Sequence, residues 1–238
     1  MAHSDISEMD LQFTQSQAHG LFWDSEVKQV VFGLPACRND TAKYDVYCEN
    51  NKYDSNENIS IKTSGNNNID CGDILRFYDG EFDKKYTIIL IRYKQNDDNK
   101  NIREILAIDY NSKFRDILFG TIPKKILEGY LNYIKNIPFG NVPEEIKKKY
   151  KNYKNKMQKE FNMKINISPK VDSNRQRRVQ CSIPKIDKLF EEFPEFVISK
   201  TTEPIVRGIQ ITPAIKSPKR VRHLKVIDNF RLLIRVLI

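Results

Sequence analysis

Cysteine is scarce in this chain. The four present, Cys37, Cys48, Cys71 and Cys181, form no CxxC pair and have no histidine at zinc-ligand spacing. That pattern excludes a zinc finger or ribbon and reads as reduced thiols of an intracellular protein. No apolar run reaches the length of a membrane span. The opening MAHSDISEMD lacks both the basic and the apolar region of a signal peptide, so neither a membrane nor secretion is expected. Internal repeats and long disordered tracts are also missing. The segment SGNNNIDCG has glycines but not the spacing of a phosphate-binding loop. His19 stands without the carboxylate or nucleophile motif that acid–base work needs, and a structural role is expected for it.

What is present suits a globular domain with a real core: 39% hydrophobic, 11% aromatic and 30% charged residues over 238 positions. The net charge of +9 is concentrated in two stretches, 147–164 and 216–235, whereas residues 1–80 are close to neutral or acidic. Such a surface favours a polyanion, because phosphate contacts release condensed counterions. Nucleic acid is the partner this charge distribution points to.

Periodicity predicts a helix over about 14–32, with Leu21, Phe22, Val27, Val30 and Val31 on its apolar face. Short strands are expected at 43–49 and at ISIKTS (59–64), separated by a polar turn. The Asn-rich stretch GNNNIDCGD reads as a turn leading into a short helix or turn at ILRFYDG. YTIILIRYK (86–94) has the continuous apolar centre of a mid-sheet strand, and 103–110 is its expected hairpin partner. Two helices follow, PKKILEGYLNYIKNI and PEEIKKKYKNYKNKMQKEFN. The second starts with Pro143 and two acids, and carries Tyr150, Tyr153, Met157 and Phe161 along one side of a basic helix. A strand at 177–183, a helix at 184–197 broken by Pro194, and an apolar C-terminal LLIRVLI that must pack as strand or helix complete the reading. The fold class is α/β (α+β), a central mixed sheet flanked by helices with a basic C-terminal α+β extension. Residues 1–122 form the core and 123–238 the extension, either separate or integrated into one domain.

Asp45 and Lys62 stand out within this order. On adjacent strands, their charged ends can converge within about 4–7 Å, the range one metal or water spans. Phosphodiester hydrolysis needs a divalent metal to neutralise developing charge and activate water. Mg²⁺ takes hard oxygen ligands, one or two of them carboxylates. Asp45 and the backbone carbonyl of Ile61 suit that role, and Lys62 suits the orientation of the attacking water.

With helix, Asp45 strand, Ser60-Ile61-Lys62 strand, helix and strand in this order, residues 14–110 resemble the PD-(D/E)xK nucleases, which include most type II restriction endonucleases. The resemblance implies a restriction-endonuclease-like sheet and Mg²⁺-dependent cleavage of DNA. A homodimer that places one active site on each strand is also implied. In it Asp45 matches the first aspartate, SIK stands where (D/E)xK is expected, and Glu26 of WDSEVKQ matches the acid of the first helix. No proline precedes Asp45, and Ser60 occupies the place of the second metal-binding carboxylate. A subgroup with S-x-K recruits an acid from the following helix. Asp73 is the preferred candidate here, with Asp70 as the other.

Plainer readings accompany each residue. Asp45 suits a strand end and Lys62 an edge guard; Asp70 suits an N-cap, Asp73 a first helical turn, and Glu26 a solvated helix face. For base reading, NRQRR supplies Arg175, Gln176, Arg177 and Arg178, whose types make bidentate contacts to guanine and adenine edges. Asn66 and Asn67 could serve a loop on the DNA backbone, and Lys147, Lys151 and Arg220 a phosphate-contacting surface. A non-catalytic nucleic-acid-binding protein on the same scaffold, and a repair or RNA-processing nuclease, stand as alternatives to the endonuclease.

Overall fold

The computed structural model describes residues 18–35, 42–171 and 177–217. Helix α1 (Ala18–Glu26) runs directly into a π-helical turn, Val27–Phe32, that ends at Gly33 in the left-handed region with φ 73°. Strands β1 (Glu57–Ser64) and β2 (Asn68–Asp73) follow, then the short helix α2 (Ile74–Tyr78) and the long hairpin β3 (Lys85–Asn96) and β4 (Asn99–Asp109). Helices α3 (Ser112–Phe119), α4 (Lys124–Lys135) and α5 (Glu144–Glu160) come next. The remainder is β5 (Asn166–Lys170), β6 (Arg178–Pro184), α6 (Ile186–Glu192) and the short strands β7 (Val197–Thr201), β8 (Ile205–Val206), β9 (Ile209–Gln210) and β10 (Ala214–Lys216).

The architecture is mixed α/β. The main sheet has the order β1-β3-β4-β10, with β7 also paired to β4. β1 and β3 are parallel, whereas β4 is antiparallel to β3, β7 and β10. A second, antiparallel sheet has the order β2-β6-β5, and β8 and β9 form a small hairpin. The crossover from β1 to parallel β3 passes through β2 and α2.

Alternation along β1 and β3 divides the core between two faces. Ile59, Ile61, Ile89 and Ile91 pack with Trp23, Val27, Val31 and Phe32 of the first helix and its π-turn. Ile88 and Leu90 face the larger cluster, which draws Phe114, Leu127, Tyr130, Tyr150 and Met157 from α3–α5 and Val179 and Ile183 from β6. One apolar core therefore takes residues from both sides of position 122. β3 is buried on both faces, as its uninterrupted apolar run predicts.

Several elements differ from the periodicity. Residues 43–49 form no full strand: a single antiparallel bridge joins Val46 to Ile59, and a 3₁₀ turn takes Cys48–Asn50. Residues 68–73, read as a turn, form β2, because β6 supplies a partner more than a hundred positions away. The π-turn widens the helix, so that Val27, Lys28, Val31 and Phe32 point inward while Val30 is 51% exposed. The helix expected at 184–197 is α6 followed by one 3₁₀ turn, Pro194–Phe196, with Pro194 at the break as expected. The C-terminal LLIRVLI lies outside the described residues.

Candidate active site

β1 is the outer strand of the main sheet, and the chain at Asp45–Val46 closes part of its free edge. Ile59 donates to the Val46 carbonyl at 2.8 Å, and its own carbonyl accepts from the amides of Asp45 and Val46 at 2.8 and 3.0 Å. Two residues on, no backbone carbonyl takes over; the Asp45 side chain does. Its Oδ2 accepts from the Ile61 amide at 2.7 Å and from Lys62 Nζ at 3.2 Å. Lys62 Nζ also donates to the Ile61 carbonyl at 3.1 Å. Asp45 and Lys62 thus meet in direct contact, closer than two groups sharing an intervening water, and their side chains remain 22% and 28% exposed.

The opposite side of Asp45 belongs to α1 and its π-turn. Lys28 Nζ lies 3.4 Å from Asp45 Oδ1 and 3.2 Å from Asp24 Oδ2. Asp24 and Lys28 are four residues apart and so share a helix face. Four charges alternate along this line: Asp24, Lys28, Asp45, Lys62. Burial, reinforced by the nearby Asp45 charge, pushes the Asp24 carboxyl from 3.8 up to about 6, against the opposing pull of Lys28 and Lys62. For Lys28, burial lowers the pKa, but the charges of Asp45 and Asp24 and their hydrogen bonds outweigh it and hold the ammonium above its ordinary value.

Glu26, the expected helix acid, does not face this cluster. Two residues from Asp24, it lies about 200° around the helix. Its Oε1 accepts from Thr212 N at 3.0 Å and Thr212 Oγ1 at 2.6 Å, while Trp23 Nε1 donates to the Thr212 carbonyl at 3.0 Å. Glu26 pins the segment after β9, and Asp24 is the acid beside Asp45. The Asp24/Lys28 pair at helical i, i+4 spacing was the sequence signal for this.

Ser60 is buried with its Oγ 3.0 Å from Tyr86 Oη, a mutual hydrogen bond that satisfies two hydroxyls within the larger core. Its hydroxyl is thus engaged inside the core. Asp73 is the N-cap of α2: its Oδ1 accepts from the amides of Leu75 and Arg76 at 3.1 and 3.0 Å. Asp70 Oδ1 accepts from the Gly72 amide at 3.1 Å. Both acids lie on β2, in the second sheet rather than the sheet that carries Lys62. The acid nearest Asp45 comes instead from the first helix: Asp24, joined to Asp45 through Lys28.

Asp24, Asp45 and the Ile61 carbonyl form a hard-oxygen donor set of the kind Mg²⁺ takes. Asp24 Oδ1, like Glu26 Oε2, is buried without a hydrogen-bond partner among the described residues, and the chemistry of Asp24 beside Asp45 fits a cation. Two carboxylates are its limit: among the described residues, no three His, Cys, Asp or Glu side chains group around a common point.

The expected nucleic-acid contacts separate. Arg177 is 1% exposed and donates to the carbonyls of Ile137 at 3.3 Å, Val171 at 2.6 Å and Pro138 at 2.5 Å. Its guanidinium ties the chain after α4 to β6 and has no access to a base edge. Asn67 Oδ1 accepts from the Asp187 amide at 3.0 Å, and its carbonyl accepts from Ile186, so this loop residue secures the start of α6. Asn66, Lys151 and Arg178 are exposed, while Lys147 is paired with Glu144 at 2.5 Å. Arg175, Gln176 and Arg220 lie outside the described residues, as does the side chain of His19.

Among the described residues, no helix is long and apolar enough to cross a membrane. Comparison with protein-family models, curated proteins and solved structures finds no match to the chain.

Proposed function

We propose that this protein is a Mg²⁺-dependent endonuclease of the restriction-enzyme kind that hydrolyses phosphodiester bonds in double-stranded DNA. The observation that carries the reading is the direct contact between Asp45 and Lys62 at the edge of the sheet, 17 residues apart in sequence. Support also comes from the order around it: an acidic first helix, the Lys62 strand, a crossover through α2 and a parallel β3. The net charge of +9 and the exposed lysines of α5, among them Lys148, Lys149 and Lys151, suit a polyanionic substrate.

In this reading Asp45, Asp24 and the Ile61 carbonyl hold the cation. When bound, Mg²⁺ supplies charge neutralisation at the phosphoryl oxygens and lowers the pKa of water. Lys62 orients the attacking water and donates to a phosphoryl oxygen, using an ammonium that Asp45 and the Ile61 carbonyl already position. In this reading a homodimer brings one such site to each strand of the duplex.

A second reading, a nucleic-acid-binding protein without catalysis, is favoured by one observation: Ser60 is engaged with Tyr86, and among the described residues no three acidic, His or Cys side chains group to hold a metal. Plasmid nicking separates the two. Wild type with Mg²⁺ should cut supercoiled DNA, and Lys62→Ala and Asp45→Ala should lose at least a hundredfold in rate. Equal cutting by all three removes these residues from the mechanism. Retarded mobility of DNA without cutting at any Mg²⁺ concentration supports the binding reading.

A further inference from the structure

Lys28 is an unusual occupant for a cation site. It is 4% exposed, and its ammonium lies between the two carboxylates proposed as ligands, 3.2 Å from Asp24 Oδ2 and 3.4 Å from Asp45 Oδ1. Resting on the metal-dependent reading above, we infer that Lys28 is a built-in counter-ion of the Asp24/Asp45 pair, and that a divalent cation enters only by displacing it. Lys28 then sets the affinity of the site for metal.

The argument is one of charge and space. Asp24, Asp45, Lys28 and Lys62 carry two negative and two positive charges, so the cluster is neutral before any cation arrives. A Mg²⁺ ion held by both carboxylates would compete for the oxygens that the Lys28 ammonium contacts, Asp24 Oδ2 and Asp45 Oδ1. Two cations that close repel strongly in a half-buried setting. The lysine side chain is suited to leaving, since a compact ammonium rides on a flexible four-carbon stem. Lys62 also contacts members of the donor set, Asp45 Oδ2 and the Ile61 carbonyl, but it touches only one of the two carboxylates and its side chain is 28% exposed against 6% for Lys28. Substrate phosphate, by adding negative charge, shifts the balance toward the metal. The free protein should accordingly bind metal weakly.

Tb³⁺, an oxygen-seeking stand-in for Mg²⁺, tests this without reference to activity. The chain has a single tryptophan, Trp23, adjacent in sequence to Asp24, so Tb³⁺ bound there is excited through it. Tb³⁺ luminescence is titrated against wild type, Lys28→Met and Lys28→Gln, with Mg²⁺ as competitor and near-UV circular dichroism as the check on folding. Both Lys28 variants should bind Tb³⁺ at least tenfold more tightly than wild type, and adding Asp24→Asn should reverse the gain. The second variant preserves the test if the first fails to fold. Equal affinity in wild type and the Lys28 variants, abolished in each by Asp45→Asn, overturns the inference and leaves the metal-dependent reading standing. No binding of Tb³⁺ or Mg²⁺ by any of the folded proteins overturns both.

Discussion

Replacing Asp24 by asparagine should change how the stability of this protein depends on pH. Its carboxyl side chain is 19% exposed and titrates at about 6 instead of 3.8, chiefly because burial penalises the charged form. The folded state therefore holds the Asp24 proton more tightly than the unfolded chain does. Stability contributed by this group is fully present below the unfolded value and is lost as pH rises from 3.8 to about 6, the reverse of a salt-bridged carboxylate. At ~1.4 kcal/mol per pKa unit, the ionised Asp24 costs roughly 3 kcal/mol above that window. Asparagine keeps the shape and does not titrate. The stability of Asp24→Asn relative to wild type should rise by about 3 kcal/mol across the window, roughly half of it between about pH 5 and pH 8. Urea denaturation in chelator-containing buffers across that range measures both curves. Parallel curves would refute the idea that Asp24 is held ionised at a cost.

Arg177→Met should destabilise by about 3 kcal/mol or more, since the carbonyls of Ile137, Pro138 and Val171 lose a buried donor; denaturant midpoints check this, while DNA affinity per folded molecule should not change. Gly120→Ala should cost at least ~3 kcal/mol. Position 120 has φ +62°, and an added Cβ would lie 1.9 Å from the Phe161 carbonyl oxygen; a thermal melt within a few degrees of wild type would contradict this. If α5 contacts phosphates, replacing Lys148 and Lys151 together by alanine should lower the slope of log affinity against log salt by roughly 2, at about 0.9 per contact. An unchanged slope would move the DNA to another surface.

The legible parts of this fold are those whose signals are local. β3 announced itself by seven consecutive buried positions, Tyr86 to Arg92, and α5 by a proline, two acids and a long period of apolar residues. The pairing of Asp45 with Lys62 was also readable, because strand order and chemistry pointed to one place. β2 was not: Asn, Asp and Gly are poor strand formers, and only pairing with β6 overrides that preference. Glu26, named from the sequence as the acid of the first helix, turns to Thr212, and Asp24 two positions earlier meets Lys28 and Asp45; acids that close in sequence face different directions, and composition does not say which faces the sheet. Arg177 looked like a base reader for the same reason that it is a good clamp. A planar fork of donors satisfies carbonyls as well as guanine, and only the packing of distant segments around it decides between the two.

The Asp45 side chain, closing the free edge of β1 at Ile61, has a consequence for solubility as well as chemistry. An outer strand with the sequence ENISIKTS, rich in isoleucine, is a template on which a stray extended segment can add. A carboxylate seated on the Ile61 amide blocks that growth with a fixed negative charge at the point where backbone pairing would continue. Asp45→Ala removes the plug along with the proposed cation ligand and should promote concentration-dependent association, whereas Asp45→Asn keeps an acceptor on the amide. The same carboxylate would thus be kept in place by two independent demands, one on turnover and one on remaining a dispersed protein.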